Sequence, residues 1–368
     1  MDDARPPALT AKRPSSLARY LLGAYVLLIA YGSVHPFSGW RDLGLGPFAF
    51  LDAPLPPYVT AFDLVANFIA YFPLGFLVVA ASWPRVRGLR AGLLGSILAF
   101  ALSLAFEAIQ SYLPTRIASN LDVVTNTFGG IAGAATGVAA VPHILLRGGL
   151  VAARRRLFSG GRAVDFGLVL IGLWLTTQLY PESLLFGNGD VRTFFTESNS
   201  TLYAPEMFML IEGAVTAANL VGSVLLLRLM ARPQAAVWRL ALASIGIALV
   251  ARMLAFGILF RPGSMLSWLT PGASIGLVAG LLTARAAIGL PRRLAVALAA
   301  TLLMLGVLLV NAAPENPYLV ISFALWRRGH FLNFNGLTHV VSALWPFLAV
   351  TYLLVVARTV AANERHPS

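Results

Sequence analysis

Seven polar side chains, set among long apolar runs, are the residues through which this sequence could do chemistry. They are Asp63 and Asn67 in FDLVANFIAYFPLGF, Glu107, Gln110 and Arg116 in LAFEAIQSYLPTRIASN, and Asp122 and Asn126 in LDVVTNTFGG. Carboxylates and carboxamides are costly inside or beside hydrocarbon, so their recurrence at the ends of apolar segments asks for a reason. On a helix, Asp63 and Asn67 share a face at i,i+4, as do Asp122 and Asn126, and Glu107 and Gln110 share one at i,i+3. A carboxyl can serve as general acid or base, and a guanidinium holds phosphate through paired donors. Two further carboxylates could position a hydroxyl or offer oxygens to a divalent cation. The types and spacing nominate Glu107, Asp122 and Asp63 as catalytic candidates and Arg116, Asn67, Gln110 and Asn126 as substrate-binding ones. Three acids of unknown separation do not make a metal site, and the residues identify no cofactor. Each member also has a plain reading. Asp63 and Asp122 are acids at helix starts, favoured by the dipole; Asn67 and Asn126 are interhelical hydrogen-bond formers; Glu107 and Arg116 pair to close a helical hairpin.

The elements that must position these residues are membrane helices. The chain has 368 residues, is 58% hydrophobic and 11% charged, and has a mean hydropathy of +0.77. Soluble domains carry about 25% charged residues. There is no cysteine, which excludes disulfides, thiolate metal sites and cysteine nucleophiles. The net charge of +12 is divided among short loops, which argues against nucleic acid as a partner and for a surface facing anionic lipid.

Residues 1–16 read as a disordered cytoplasmic tail and 17–35 as a retained signal anchor. Further apolar segments fall at 62–82, 90–112, 121–146, 164–181, 208–230, 236–259, 265–288, 293–312 and 338–360. Each approaches the ~20 residues that cross ~30 Å of hydrocarbon, which makes an all-α, polytopic protein of about ten transmembrane helices. With both termini cytoplasmic, most of the 27 basic residues fall on inner segments, among them Arg85, Arg87 and Arg90, Arg154 to Arg156, Arg228, Arg232 and Arg239, and Arg285, Arg292 and Arg293. Arg327 and Arg328 fall outside. The expected organisation is a four-helix membrane domain over 17–146, a basic linker over 147–163, a six-helix domain over 164–360 and a tail over 361–368. Gly75, Gly129 and Gly133 recur in register as Gly222, Gly276 and Gly280, which fits either a degenerate duplication of helices 1–4 as 5–8 or the recurrence of small residues on any membrane packing face. The polar set is not repeated.

Three motifs in order, D-x-x-x-N-x-x-x-[YF]-x-P-L-G-F, E-x-x-Q-x-x-x-P-x-R and D-x-x-x-N-T-x-G-x-x-x-G, resemble the VanZ-like family of membrane proteins. Here they are Asp63, Asn67, Tyr71, Pro73, Leu74, Gly75 and Phe76; Glu107, Gln110, Pro114 and Arg116; and Asp122, Asn126, Thr127, Gly129 and Gly133. The resemblance covers residues 17–145 and implies a multi-pass protein of the bacterial inner membrane. The founding member is associated with teicoplanin resistance and others with envelope and exopolysaccharide functions; no settled activity comes with the family.

Elsewhere, Pro73-Leu74-Gly75 can kink their helix, with plain packing favoured over a moving hinge, and Glu212 and Arg252 can form a buried ion pair. His330, Asn333, Asn335 and His339 read as surface residues, and Trp40, Trp268, Trp326 and Trp345 as an interfacial belt. His35 stands at the level of the acidic set and could act as acid or base. No Ser-His-Asp order, HExxH or glycine-rich phosphate loop is present. Three functions fit: an enzyme acting on an envelope lipid at the outer leaflet, a non-enzymatic binder or carrier of a lipid or glycopeptide, and a structural assembly subunit. The partners expected are the bilayer and a polyprenyl-linked glycan or other phosphate-bearing lipid.

Overall fold

The computed structural model describes residues 15–42, 44, 46–55, 60–146, 149–192, 204–260, 262–314, 316–318 and 332–365. The tail residues 1–14, and Trp326, Arg327, Arg328 and His330, lie outside them. Eleven α-helices are present among the described residues: α1 (Ser16–Val34), α2 (Ala61–Ser82), α3 (Gly88–Gln110), α4 (Asn120–Leu146), α5 (Gly149–Leu157), α6 (Arg162–Thr177), α7 (Pro205–Met230), α8 (Val237–Leu259), α9 (Pro271–Ala287), α10 (Arg292–Ala312) and α11 (Leu332–Arg365). Each of the ten expected segments contains a helix, and eight of these are long and apolar enough to cross a membrane. The other two, α6 and α9, have 16 and 17 residues. α9 begins later than hydropathy suggests because Thr270 caps it, accepting from the Ala273 N–H at 3.1 Å, and Pro271 occupies its first turn. The one pairing of extended backbone among the described residues is an isolated bridge between Phe158 and Ala231.

The chain divides into two compact units, residues 1–156 and 157–368, and the division falls within the basic segment 147–163. In the first unit, α2 and α4 pack most closely, with α3 against both and α1 against α2. Glycine makes this approach possible: a Cβ on Gly129 or Gly133 would overlap the carbonyl oxygen of Phe68 or Phe72 on α2. α2 runs unbroken through Pro73. Leu74, Val78, Val79, Ala91, Ala99 and Ala134 fill the interior, while Ile69, Leu93, Ile97 and Phe128 face outward, as suits lipid contact.

The second unit is built around α7, buried on nearly every side by α9, α10 and α6. Gly276 and Gly280 of α9 lie against Gly213 and Ala217 of α7, so the second and fourth long helices of each unit meet through glycine. The register does not extend to Gly222, which faces Leu303 of α10, whereas Gly75 faces Gly130 of α4. Trp345 and Trp268 are buried rather than interfacial; Trp345 donates to the Leu170 carbonyl at 2.7 Å. Only Trp40 of the described belt candidates is exposed. Glu212 and Arg252 are both buried but do not pair: Glu212 accepts from the Thr270 hydroxyl, and Arg252 donates to the carbonyls of Tyr180, Pro181 and Ser183. These carbonyls lie in the turn beyond the end of α6 at Thr177, and they take the guanidinium in place of the acid. His339, expected at the surface, lies on α11 with its ring 5.3 Å from that of Tyr180.

Candidate functional site

The chain reverses direction at each turn of the first unit, so the end of α1, the start of α2, the end of α3 and the start of α4 lie at one end. All seven nominated residues are there. Three faces converge: Asp63, Asn67 and Tyr71 on α2; Ser103, Glu107 and Gln110 on α3; Asp122 and Asn126 on α4. Glu107, Gln110, Asn126 and Ser103 are buried, at 4, 9, 5 and 0% exposure; Asn67 and Asp122 are half-buried, and Asp63 is exposed.

Several members are engaged in holding helix ends. Thr60 and Asp63 form a capping box on α2: the Thr60 hydroxyl oxygen accepts from the Asp63 N–H at 3.1 Å, and the Asp63 carboxylate accepts from the Thr60 N–H at 3.2 Å. Asp63 thus has the geometry of a helix-start acid. At the start of α4 the same arrangement opens with Ser119, whose hydroxyl accepts from the Asp122 N–H at 3.4 Å. The reciprocal bond comes from another helix: Glu107 of α3 accepts the Ser119 N–H at 2.9 Å.

Arg116 does not pair with Glu107. Its Nε and Nη2 donate to the carbonyls of His35 and Gly32, at 3.2 and 2.6 Å, satisfying the C-terminal end of α1. Gln110 Nε2 donates to the neighbouring Ser33 carbonyl at 2.9 Å. Burial draws the Arg116 pKa below its ordinary value and the Glu107 charge opposes that shift. The expected hairpin pair is thus replaced by two separate anchors. His35 supplies its carbonyl, and its ring packs beside those of Tyr31 and Phe37, 5.3 and 6.5 Å away.

The remaining polar groups close no helix end. Asp122 is freed from its capping box by Glu107, and Asn67 of α2 interacts with its carboxylate. Asn126 Nδ2 donates to Ser103 Oγ at 3.0 Å, and Tyr71 of α2 is buried. Asn126 Oδ1 is buried with no partner, and rotating the amide would leave the NH2 group in the same position. Among the described residues no three His, Cys, Asp or Glu side chains group as a metal ion requires, so Asp63 and Asp122 do not form part of such a set.

Sequence reasoning missed Ser103, Ser119 and the use of Tyr71. Each was signalled by helical spacing: Ser103 lies one turn before Glu107, and Tyr71 one turn after Asn67. Ser119 stands three before an acid, the pattern of a cap. The loop before α2 packs over this end, with Arg41 N–H donating to the Tyr112 carbonyl at 3.0 Å and Asn120 Nδ2 to that of Ala53 at 2.7 Å.

A family model described as VanZ/LLP1 matches residues 19–141, the span that contains this whole polar set. No curated protein and no solved structure matches the chain.

Proposed function

We propose that the span 19–141, which matches the VanZ/LLP1 family model in a chain with eight helices long and apolar enough to cross a membrane among its described residues, binds the glycan portion of an envelope lipid where α2 meets α4. The proposal is carried by two groups that hold no helix end, the half-buried Asp122 carboxylate and the unpartnered amide end of Asn126, four residues apart on one face. Both carboxylate oxygens and, as placed, the amide oxygen are acceptors. Acceptors call for donors, and sugar hydroxyls supply them. A phosphate would need a guanidinium, but two of the three Arg116 nitrogens are bound to the end of α1. Asn67 orients Asp122, and Tyr71 and Ser103 form the floor. The bacterial inner membrane, with this end outward, is the setting the charge distribution and the family suit.

The bonds of Glu107, Gln110, Arg116 and Asp63 favour a second reading, in which the polar set locks helices only. That reading accounts for those four and leaves Asp122 and Asn126 without explanation. No proton transfer is assigned to Glu107, whose carboxylate is buried and accepts a backbone N–H.

The test is mass spectrometry of lipid retained by the purified full chain. Wild type is expected to retain a glycan-bearing lipid, and Asp122→Asn to lose it at an unchanged thermal midpoint. Equal retention by Asp122→Asn, or unfolding of that variant, would overturn the proposal in favour of the locking role.

A further inference from the structure

At one end of the second unit, the end of α7, the start of α8, the end of α9 and the start of α10 surround a cavity of about 640 Å³. Arg228, Arg232, Arg239, Arg285 and Arg292 line it together with Trp238, and no carboxylate among the described residues does. Three of the guanidiniums are oriented by carbonyls: Arg228 Nη2 donates to Leu290 at 2.5 Å, Arg232 Nε to Phe158 at 3.2 Å and Arg292 Nη2 to Leu229 at 3.4 Å. Such bonds hold the side chains without cancelling their charge. Arg228 and Arg292 are close enough to repel one another.

Helix ends sharpen the imbalance. α8 and α10 both start here, behind Ala236 and Pro291, and neither start has a side-chain cap. The positive ends of their dipoles therefore add to the arginines. Arg239 and Arg292 sit in those first turns, where a cation is unfavourable. Basic inner loops alone explain arginines scattered toward lipid headgroups. They do not explain five converging on one cavity from four helix ends, two of them on the wrong end of a dipole. Elsewhere in this unit Arg192 has an acid beside it, Asp190 at 2.7 Å.

We propose that this cavity binds a phosphate-bearing anion, held by the arginine fork geometry and favoured by the positive ends of the α8 and α10 dipoles. The site belongs to the second unit and stands independently of the glycan proposal for the first. Trp238 at the rim suits a phosphate presented at the membrane surface, where indole rings gather. A phospholipid headgroup and a soluble pyrophosphate share the necessary chemistry.

The experiment uses the full chain in a neutral detergent. Sodium pyrophosphate is titrated in one arm; in the other, the protein is placed in nanodiscs of phosphatidylcholine with or without phosphatidylglycerol. A ligand of the folded state raises its thermal midpoint. At least one probe is expected to do so, pyrophosphate alone marking a soluble ligand and phosphatidylglycerol alone marking a lipid. Arg239→Gln with Arg285→Gln, both at exposed positions, should weaken that binding about tenfold or more, the loss of one or two charge-assisted contacts. Arg232→Gln with Arg292→Gln should do the same and serves where the first pair fails to fold. Glutamine at Arg154, Arg155 and Arg156, in the other unit, should leave binding unchanged. A chain that responds to neither probe, or variants of both arginine pairs that bind as wild type does, would overturn the proposal.

Discussion

Glu107 offers the sharpest perturbation, because the structure gives it one identifiable partner. Its carboxylate is buried at 4% exposure and accepts the Ser119 N–H at 2.9 Å, joining the end of α3 to the start of α4. A hydrogen bond to a charged acceptor contributes about 1.5–3 kcal/mol, and one to a neutral acceptor about 0.5–1.5 kcal/mol. Glu107→Gln keeps an acceptor of the same length, so its expected cost is the difference, about 1–1.5 kcal/mol. Glu107→Leu removes the acceptor and strands a buried N–H, at about 1–3 kcal/mol for the orphan. The separation between the two is sharper locally than globally. In hydrogen exchange of the full chain in detergent, the peptide spanning 111–122 should lose protection in Glu107→Leu and keep most of it in Glu107→Gln. Thermal midpoints should fall in the same order. If Glu107→Leu left exchange of that peptide unchanged, the cross-helix cap would not be what organises this end.

Further substitutions test packing and the second unit. Gly133→Ala would place a methyl carbon on the Phe72 carbonyl oxygen, 2.8 Å from its carbon and 3.1 Å from its Cα, and since these are backbone atoms α2 and α4 must separate. A loss of about 1–3 kcal/mol or more is expected in thermal unfolding, whereas Gly23→Ala, inside α1 with open space around it, should cause no loss and stabilise by up to about 1 kcal/mol. Arg252→Met should destabilise the second unit by about 1.5–3 kcal/mol for even one of the charged bonds it makes to residues 180–183. Glu212→Gln should cost much less and add to Arg252→Met in the double variant; a coupling of about 1 kcal/mol or more in thermal unfolding would show that the two act as an ion pair after all.

The helices were legible because a membrane span is announced by its length and apolarity, and the convergence of the polar set followed from alternating direction alone. What hydropathy cannot report is the partner of a hydrogen bond. Charge matching pairs Arg116 with Glu107, yet it serves carbonyls at the end of α1, more than eighty residues earlier in the chain. Arg252 shows the same preference over Glu212. At Arg116 the competing acceptors are carbonyls at the end of α1, which have no intrahelical donor; at Arg252 they are carbonyls of the turn that follows α6, and buried backbone carbonyls call for a donor in an apolar surrounding. Charge matching along a sequence overlooks them because every residue type carries one. Trp345 departs from the interfacial belt for a related reason: its indole N–H finds a backbone carbonyl inside the second unit, so it can be buried whole.

The two D-x-x-x-N pairs look equivalent in the sequence, and the caps separate them. Thr60-x-x-Asp63 and Ser119-x-x-Asp122 have the same spacing, and each could close a capping box from within its own helix. α2 does so, and Asp63 is thereby occupied at the exposed rim. α4 does not, because the short turn after α3 brings Glu107 onto the Ser119 N–H first. A buried carboxylate that takes over a neighbour's cap costs desolvation. A box closed by Asp122 would have satisfied the same N–H at a half-buried position. What the costlier arrangement yields is a second carboxylate, Asp122, held in place by the backbone of α4 and by Asn67 yet released from any role in closing the helix. A set evolved only to lock three helices has no use for that release; a site for a ligand that donates hydrogen bonds does.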